Sequence, residues 1–209
     1  MEKFEVLRAV AAPFPFANVD TDRIIRVERC VSVPRGEMGR WAFELERFAP
    51  DGGERADFVL NRAPFRGAGI LVAGDNFGCG SSREMAVWAV AGMGIRCVIA
   101  PSFGEIFFGN CFQNGVLPIR LPAAQVAEIQ KRLGEAAPDA PELATLTVDL
   151  RRQSILTPWG EFVPFEVEPL RRDALLQGLD AIGMTLQRSA AIAAFQQRQR
   201  SARPWIWQA

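Results

Sequence analysis

The chain has 209 residues, 49% of them hydrophobic, enough for one sizeable domain with an appendage or for two small ones. Lys and Arg total 24 against 24 Asp and Glu, and no basic run exceeds two consecutive residues, which argues against nucleic-acid binding through a phosphate-neutralising surface. The apolar stretches are glycine-interrupted and too short to span a bilayer, and Met1–Glu5 carries no apolar signal-peptide core, so no membrane partner and a cytoplasmic location are expected.

Cys30, Cys79, Cys97 and Cys111 are scattered without a C-x-x-C pair, and the chain has no histidine and no tyrosine. A self-contained zinc site, a Ser-His-Asp triad and a histidine acid/base are therefore excluded. The thiol spacing also argues against an iron–sulfur cluster on this chain. Any acid/base chemistry must use Ser, Asp, Glu, Lys, Arg or Cys, with other groups supplied from elsewhere.

In chain order, Phe4 to Ala12 alternates loosely enough for a first strand. Ala17-Asn18-Val19-Asp20-Thr21-Asp22 reads as a turn before a short apolar strand, Arg23-Ile24-Ile25. From Glu28 to Phe48 the pattern is irregular, with Arg35 and Arg40 as loop charges. Phe58–Asn61 and Ile70–Ala73 read as strands on either side of Pro64-Phe65-Arg66-Gly67. A helical apolar segment from Met85 to Met93 and a buried strand, Arg96–Ala100, come next. Strand, helix, strand within ~30 residues is a βαβ unit and implies parallel pairing. Ser102 to Cys111 reads as a second helix with Ile106, Phe107 and Phe108 inward, and Val116–Ile119 as a third strand. Ala123 to Leu133 is an amphipathic helix with Val126, Ile129 and Leu133 on one side. The two-proline loop from Gly134 to Pro141 is the best place for a subdomain boundary. Thr145–Leu150, Ile155-Leu156 and Phe162–Val167 suggest a small antiparallel set, and the tail from Arg171 to Gln199 reads as helical, with most of its leucines in the core.

One stretch concentrates the chemistry: Gly74-Asp75-Asn76-Phe77-Gly78-Cys79-Gly80-Ser81-Ser82-Arg83-Glu84, between a buried strand and a helix. Gly74, Gly78 and Gly80 mark a backbone that turns tightly or is closely approached. Ser81, Ser82 and Arg83 are expected on the first turn of the helix, where unpaired N–H groups and the helix dipole favour an anion. Ser81-Ser82-Arg83-Glu84 also fits the capping box S-x-x-E, in which Ser81 would only cap the helix. A dinucleotide fingerprint fails because Arg83 stands where the third glycine is needed, and a P-loop fails because Cys79-Gly80 stands where Gly-Lys is needed.

Taken whole, Asn76-Phe77-Gly78-Cys79-Gly80-Ser81-Ser82-Arg83-Glu84 resembles the active-site loop of the aconitase superfamily, in the form found in small subunits of 3-isopropylmalate dehydratase. Asp20-Thr21-Asp22-Arg23-Ile24-Ile25 and Leu175 to Leu186 are similar to further motifs of those subunits. The resemblance is strongest over 17–25, 58–119 and 171–186 and weakest over 26–57. Met85 stands where the family usually has histidine, and Arg26-Val27 where Pro-Lys is common.

The resemblance implies an α/β fold, the swivelling β/β/α domain of the aconitase C-terminal-domain type, as a single domain over 1–209 with a helical tail at about 169–200. It implies that Ser81 is the catalytic base and that Arg83 binds a substrate carboxylate, with Ser82 and Asp22 also at the substrate. The implied reaction is the dehydration and rehydration that interconverts 2-isopropylmalate and 3-isopropylmalate in leucine biosynthesis. The implied partner is a large subunit that bears a [4Fe-4S] cluster, with no cofactor bound by this chain. Two alternatives stand beside it. One is a paralogous hydro-lyase subunit for another diacid of the citraconate or dimethylmaleate type, to which Met85 and the divergent 26–48 segment point. The other is a non-enzymatic α/β module that binds an anion or a partner.

Overall fold

The computed structural model describes residues 1–207. In chain order its elements are β1 (Val6–Phe14), α1 (Thr21–Ile24), α2 (Val27–Ser32), α3 (Glu44–Arg47), β2 (Ile70–Ala73), α4 (Glu84–Gly92), β3 (Cys97–Ala100) and α5 (Glu105–Gln113). Then come β4 (Leu117–Arg120), α6 (Ala123–Gly134), β5 (Thr145–Asp149), β6 (Ser154–Leu156), β7 (Phe162–Pro164), α7 (Pro169–Gln177), α8 (Ala181–Leu186) and α9 (Ser189–Ala202).

Seven strands form a sheet in the order β4-β3-β2-β1-β5-β6-β7. β1 is the seam. Its second half, Ala11 to Phe14, pairs in parallel with Ile70 to Ala73, while its first half, Val6 to Val10, pairs antiparallel with Thr145 to Asp149. Side-chain burial changes at the same point. Ala11–Phe14 is buried throughout, as are β2 and β3, which lie among parallel neighbours. That double burial explains why these strands are continuous apolar runs rather than alternating ones. β5, in the antiparallel half, alternates between buried Leu146 and Val148 and partly exposed neighbours. The loop expected as a subdomain boundary is where the chain passes from the parallel half to the antiparallel half.

α6 presents Val126, Ile129 and Leu133 to the core, as its spacing predicts, and Gln130 Nε2 reaches the carbonyl of Val72 at 3.0 Å. α4 and α5 pack on each other. Among the described residues no helix is long and apolar enough to cross a membrane.

Four expectations are corrected. Arg23-Ile24-Ile25 is not a strand: the Asp20 carboxylate accepts from the N–H of Arg23 at 2.7 Å and caps the single turn α1. Phe58–Asn61 is not a strand either. Val59–Asn61 is a 3-10 turn, and the buried Asn61 amide donates to the carbonyls of Arg47 (2.7 Å) and Arg55 (2.9 Å), tying off the excursion between them. In α5, Phe107, Cys111 and Phe112 face inward, whereas Ile106 is exposed. In the tail only Leu175 is fully buried among the described residues; Leu186 and Ile182 lie in solvent, because α8 and α9 bury no residue against the rest of the described chain.

Candidate active site

The parallel strands end at Phe14, Ala73 and Ala100, and the loops that follow them meet beyond these carboxyl ends, where open α/β sheets bind ligands. The central loop, 74–83, is held on both flanks. On one side Asn18 N–H donates to Asp75 O (2.8 Å), Gly78 N–H to Val19 O (2.7 Å) and Thr21 N–H to Cys79 O (3.0 Å). On the other side Phe77 N–H donates to Ser102 O (3.1 Å) and Gly104 N–H to Phe77 O (2.9 Å). Ser102 Oγ accepts from the N–H of Asn76 at 2.9 Å and donates to Asp75 Oδ1 at 2.5 Å. A loop whose backbone groups are taken up in this way is a fixed platform.

Gly78 is required twice over. Its φ is +73°, and a Cβ there would stand 2.2 Å from Cγ of Phe107, a ring buried in the core. Gly78→Ala should therefore lose roughly 2–5 kcal/mol of stability, the sum of overpacking and left-handed backbone strain. Urea denaturation checks this; a loss below ~1 kcal/mol would mean that the loop is less tightly held than described.

Ser81 and Ser82 are exposed, and among the described residues no hydrogen bond of the Ser81 hydroxyl is found. The Ser81 carbonyl accepts from the buried Thr21 hydroxyl at 2.9 Å, which fixes the peptide that carries it. α4 begins only at Glu84, so the expectation that Ser81, Ser82 and Arg83 form its first turn is corrected. Arg83 is the N-cap residue, extended at φ −131°, and no side chain caps the helix. The capping box is also absent: Glu84 turns to Asn114, accepting from its Nδ2 at 2.8 Å, instead of reaching back to Ser81. The cross-links to 18–21 and 102–104 hold the loop extended through Arg83, and tertiary bonding overrides the local capping pattern. The first N–H groups of α4 are thereby left without a side-chain acceptor, with the dipole behind them.

Asp22 and Arg83, 61 positions apart, are in contact: Nη1 of Arg83 lies against Oδ1 of Asp22 as an ion pair. The Arg83 side chain is 15% exposed and that of Asp22 54%. Nη1 itself is buried, and the Asp22 carboxylate is the acceptor that faces it. Contact with Asp22 raises the Arg83 pKa against the lowering by burial, which keeps the guanidinium charged. A guanidinium carries five N–H donors, so one held by a single carboxylate can still bind a second.

Two neighbours were not singled out from the sequence. Cys30 on α2 lies within the field of the pair; burial pushes its thiol up, with Arg83 lowering it and Asp22 raising it. Asn114 accepts at Oδ1 from Trp88 Nε1 (2.9 Å) and Arg35 Nη2 (2.8 Å) while its Nδ2 holds Glu84. Arg35 also lies over the Trp88 ring, 4.6 Å from its centroid, so it is a docked side chain rather than a free loop charge. Nothing in the sequence around Asn114-Gly115 signals this hub. Met85, in place of the family's usual histidine, is half-buried against the core.

The chain's thiols do not suit a metal cluster. Cys97 and Cys111 are buried in the core, where burial pushes both thiols up, and Cys30 and Cys79 are half-buried and unpaired. Among the described residues no group of three or more His, Cys, Asp or Glu side chains could hold a metal ion.

In the parallel half of this mixed α/β sheet, a clamped glycine loop thus presents a free serine and a largely buried arginine at the carboxyl edge. Residues 1–124 match the family model of the aconitase C-terminal domain, and residues 182–206 match that of the C-terminal domain of the 3-isopropylmalate dehydratase small subunit. The 3-isopropylmalate dehydratase small subunit of Rhodospirillum centenum is 54% identical over 205 residues, covering 98% of both chains. That of Gluconacetobacter diazotrophicus is 52% identical over 208 residues, covering 98% of this chain and 97% of its own. A crystal structure of 3-isopropylmalate dehydratase from Methanocaldococcus jannaschii superposes with a TM-score of 0.62 at 25% identity, covering 90% of this chain and 98% of that one. The chain belongs to the 3-isopropylmalate dehydratase small-subunit family of the aconitase superfamily.

Proposed function

We propose that this chain, together with a large subunit, interconverts 2-isopropylmalate and 3-isopropylmalate by elimination and re-addition of water, as a step of leucine biosynthesis. The observation that carries this reading is the largely buried Arg83 guanidinium, held by Asp22, two residues after a free serine hydroxyl. The full-length relatives support the substrate, and the small-subunit name supports the partner.

The elimination removes a proton from one carbon and hydroxide from its neighbour, and the re-addition returns them in the opposite sense. Ser81 Oγ takes the C–H proton. A serine is a poor base at its free pKa, so the alkoxide needs stabilisation. Arg83 and the uncapped N-terminus of α4 are positive features beside it, and neither is neutralised by a side-chain cap. Arg83 binds one substrate carboxylate through its guanidinium, and Ser82, exposed beside it, donates to the same end of the substrate. Asp22 orients the guanidinium and leaves its half-exposed edge for a substrate hydroxyl. A [4Fe-4S] cluster, which the thiols of this chain do not suit, would belong in this reading to the large subunit and would bring Lewis-acid chemistry. Four unpaired cysteines suit a reducing cytosol.

The purified chain alone should not turn over 3-isopropylmalate under anaerobic conditions, and addition of the large subunit should restore turnover. Appreciable activity of the chain by itself would defeat the two-subunit reading. A reconstituted complex that ignores 3-isopropylmalate but dehydrates another diacid would defeat the substrate assignment.

A further inference from the structure

The tail is built unlike the rest of the chain. Among the described residues α8 and α9 bury no side chain, and the closest packing of α9 is with the short 3-10 turn Pro204–Ile206 that follows it. Yet the segment is not polar. Ile182 is 70% exposed, Leu186 63%, Phe195 54% and Trp205 67%, and Ile192 stands one helical turn before Phe195. Ile182 with Leu186, and Ile192 with Phe195, thus form apolar pairs at helical spacing in solvent, the mark of an interaction surface. A 14-residue helix with no buried face is also marginal in water, because packing supplies most helical stability in proteins.

The charge of the tail is one-sided. Residues 181–207 contain Arg188, Arg198, Arg200 and Arg203 and no Asp or Glu, in a chain whose net charge is zero. An apolar groove of about 570 Å³ lies between α8, which lines it with Met184, and Phe112, Leu170 and Leu179. Gln113, at its edge, adjoins Asn114, whose amide holds Glu84 next to Arg83. The unpartnered surface thus runs to the network that supports the catalytic loop.

The family models bear on the occupant. The domain matched over 1–124 is by its description a C-terminal part of a longer protein, whereas the stretch matched by the small-subunit model, 182–206, is the exposed arm itself. A subunit that is a separate chain needs a non-covalent hold on its partner. We propose that α8, α9 and the turn after them form a docking arm for the large subunit, laying Ile182, Leu186, Ile192 and Phe195 into an apolar groove with an acidic rim and ordering on contact. This inference rests on the two-subunit reading above. It assigns the arm to assembly and not to chemistry.

The test compares the wild-type chain with Phe195→Asp, and with the Arg198→Glu, Arg200→Glu pair, in binding to the purified large subunit by titration calorimetry. Turnover is followed in parallel as the large subunit is titrated in. Phe195 is exposed on a helix that buries nothing, so its replacement leaves the folded domain intact. Phe195→Asp should weaken binding at least ~30-fold, as loss of an aromatic anchor does. Turnover should return to within a few-fold of wild type once the large subunit is saturating. The charge-reversed pair should weaken binding mainly at low salt. Amides of 189–202 should exchange freely in the chain alone and become protected in the complex.

Unchanged affinity of Phe195→Asp, or arm amides that stay unprotected in the complex, overturns the proposal. So does a wild-type chain that does not bind the large subunit. Self-association abolished by Phe195→Asp with large-subunit affinity unchanged would give the arm to a second copy. Binding to phosphatidylglycerol vesicles with that affinity unchanged would give it to a membrane surface. Either result overturns the proposal. A wild-type complex that forms but does not turn over 3-isopropylmalate counts against the proposed reaction, while the calorimetric comparison still decides the arm.

Discussion

Arg83→Lys in the assembled enzyme is expected to raise KM about 10–100-fold with kcat within a few-fold of wild type. Lysine keeps the charge but loses the planar fork that matches a carboxylate, and a charged hydrogen bond is worth ~1.5–3 kcal/mol, or one to two decades in binding. Arg83→Ala goes further. It removes the cation and leaves Asp22 as an unpaired carboxylate where a substrate carboxylate must come, so kcat/KM should fall on the order of 10³-fold or more. The fold should tolerate either change with a loss of about 1 kcal/mol or less, because Asp22 is half-exposed and water can take over its pairing. The double variant Arg83→Ala, Asp22→Asn separates the roles. If Asp22 mainly orients Arg83, removing its charge relieves the repulsion and recovers about tenfold of the lost kcat/KM. If Asp22 is an independent substrate ligand, the double variant is worse than Arg83→Ala alone.

Much of the architecture was legible because burial leaves a simple mark on the sequence. Ile70–Ala73 and Cys97–Ala100 are unbroken apolar runs since both faces of those strands are covered, and the helix between them had to return the chain for parallel pairing. α6 announced itself through Val126, Ile129 and Leu133. The misreadings lie where a tertiary contact outbids a local pattern. Phe58–Asn61 looks like a strand until the Asn61 amide is seen closing the 47–55 excursion. Ser81 looks like a helix cap until the loop is seen bonded to 18–21 and 102–104, which delays the helix to Glu84. The helical character of the tail from Arg171 to Gln199 was readable from the sequence, but the absence of anything covering Ile182, Leu186 and Phe195 among the described residues was not, since an apolar residue reads the same whether it faces its own core or another protein.

The site divides in the same way. The loop holding Ser81 and Arg83 stood out through its odd composition as a place for an anion, and their roles came from resemblance. Asp22 came only from resemblance, because nothing in a sequence joins positions 61 apart, and the ion pair is what gives it a physical place. Asn114 and Cys30 were invisible for the same reason. The close full-length relatives leave the citraconate-type and non-enzymatic readings without support, and Met85, the residue that had pointed toward the former, packs on the core.

Ser81→Ala in the reconstituted complex tests the central claim most directly. In this structure the Ser81 side chain is exposed, Arg83 occupies the cap position and the Ser81 hydroxyl takes no hydrogen bond from α4, so the substitution should change stability by no more than about 0.5 kcal/mol. The same substitution removes the proposed proton acceptor, so kcat should fall at least on the order of 10²-fold. KM should stay near wild type because Arg83 still binds the substrate carboxylate. The measurement is kcat, with urea denaturation on the same preparation to match folded fractions. A large fall in kcat with stability unchanged is the predicted result; turnover within a few-fold of wild type would contradict the assignment of Ser81 as the base.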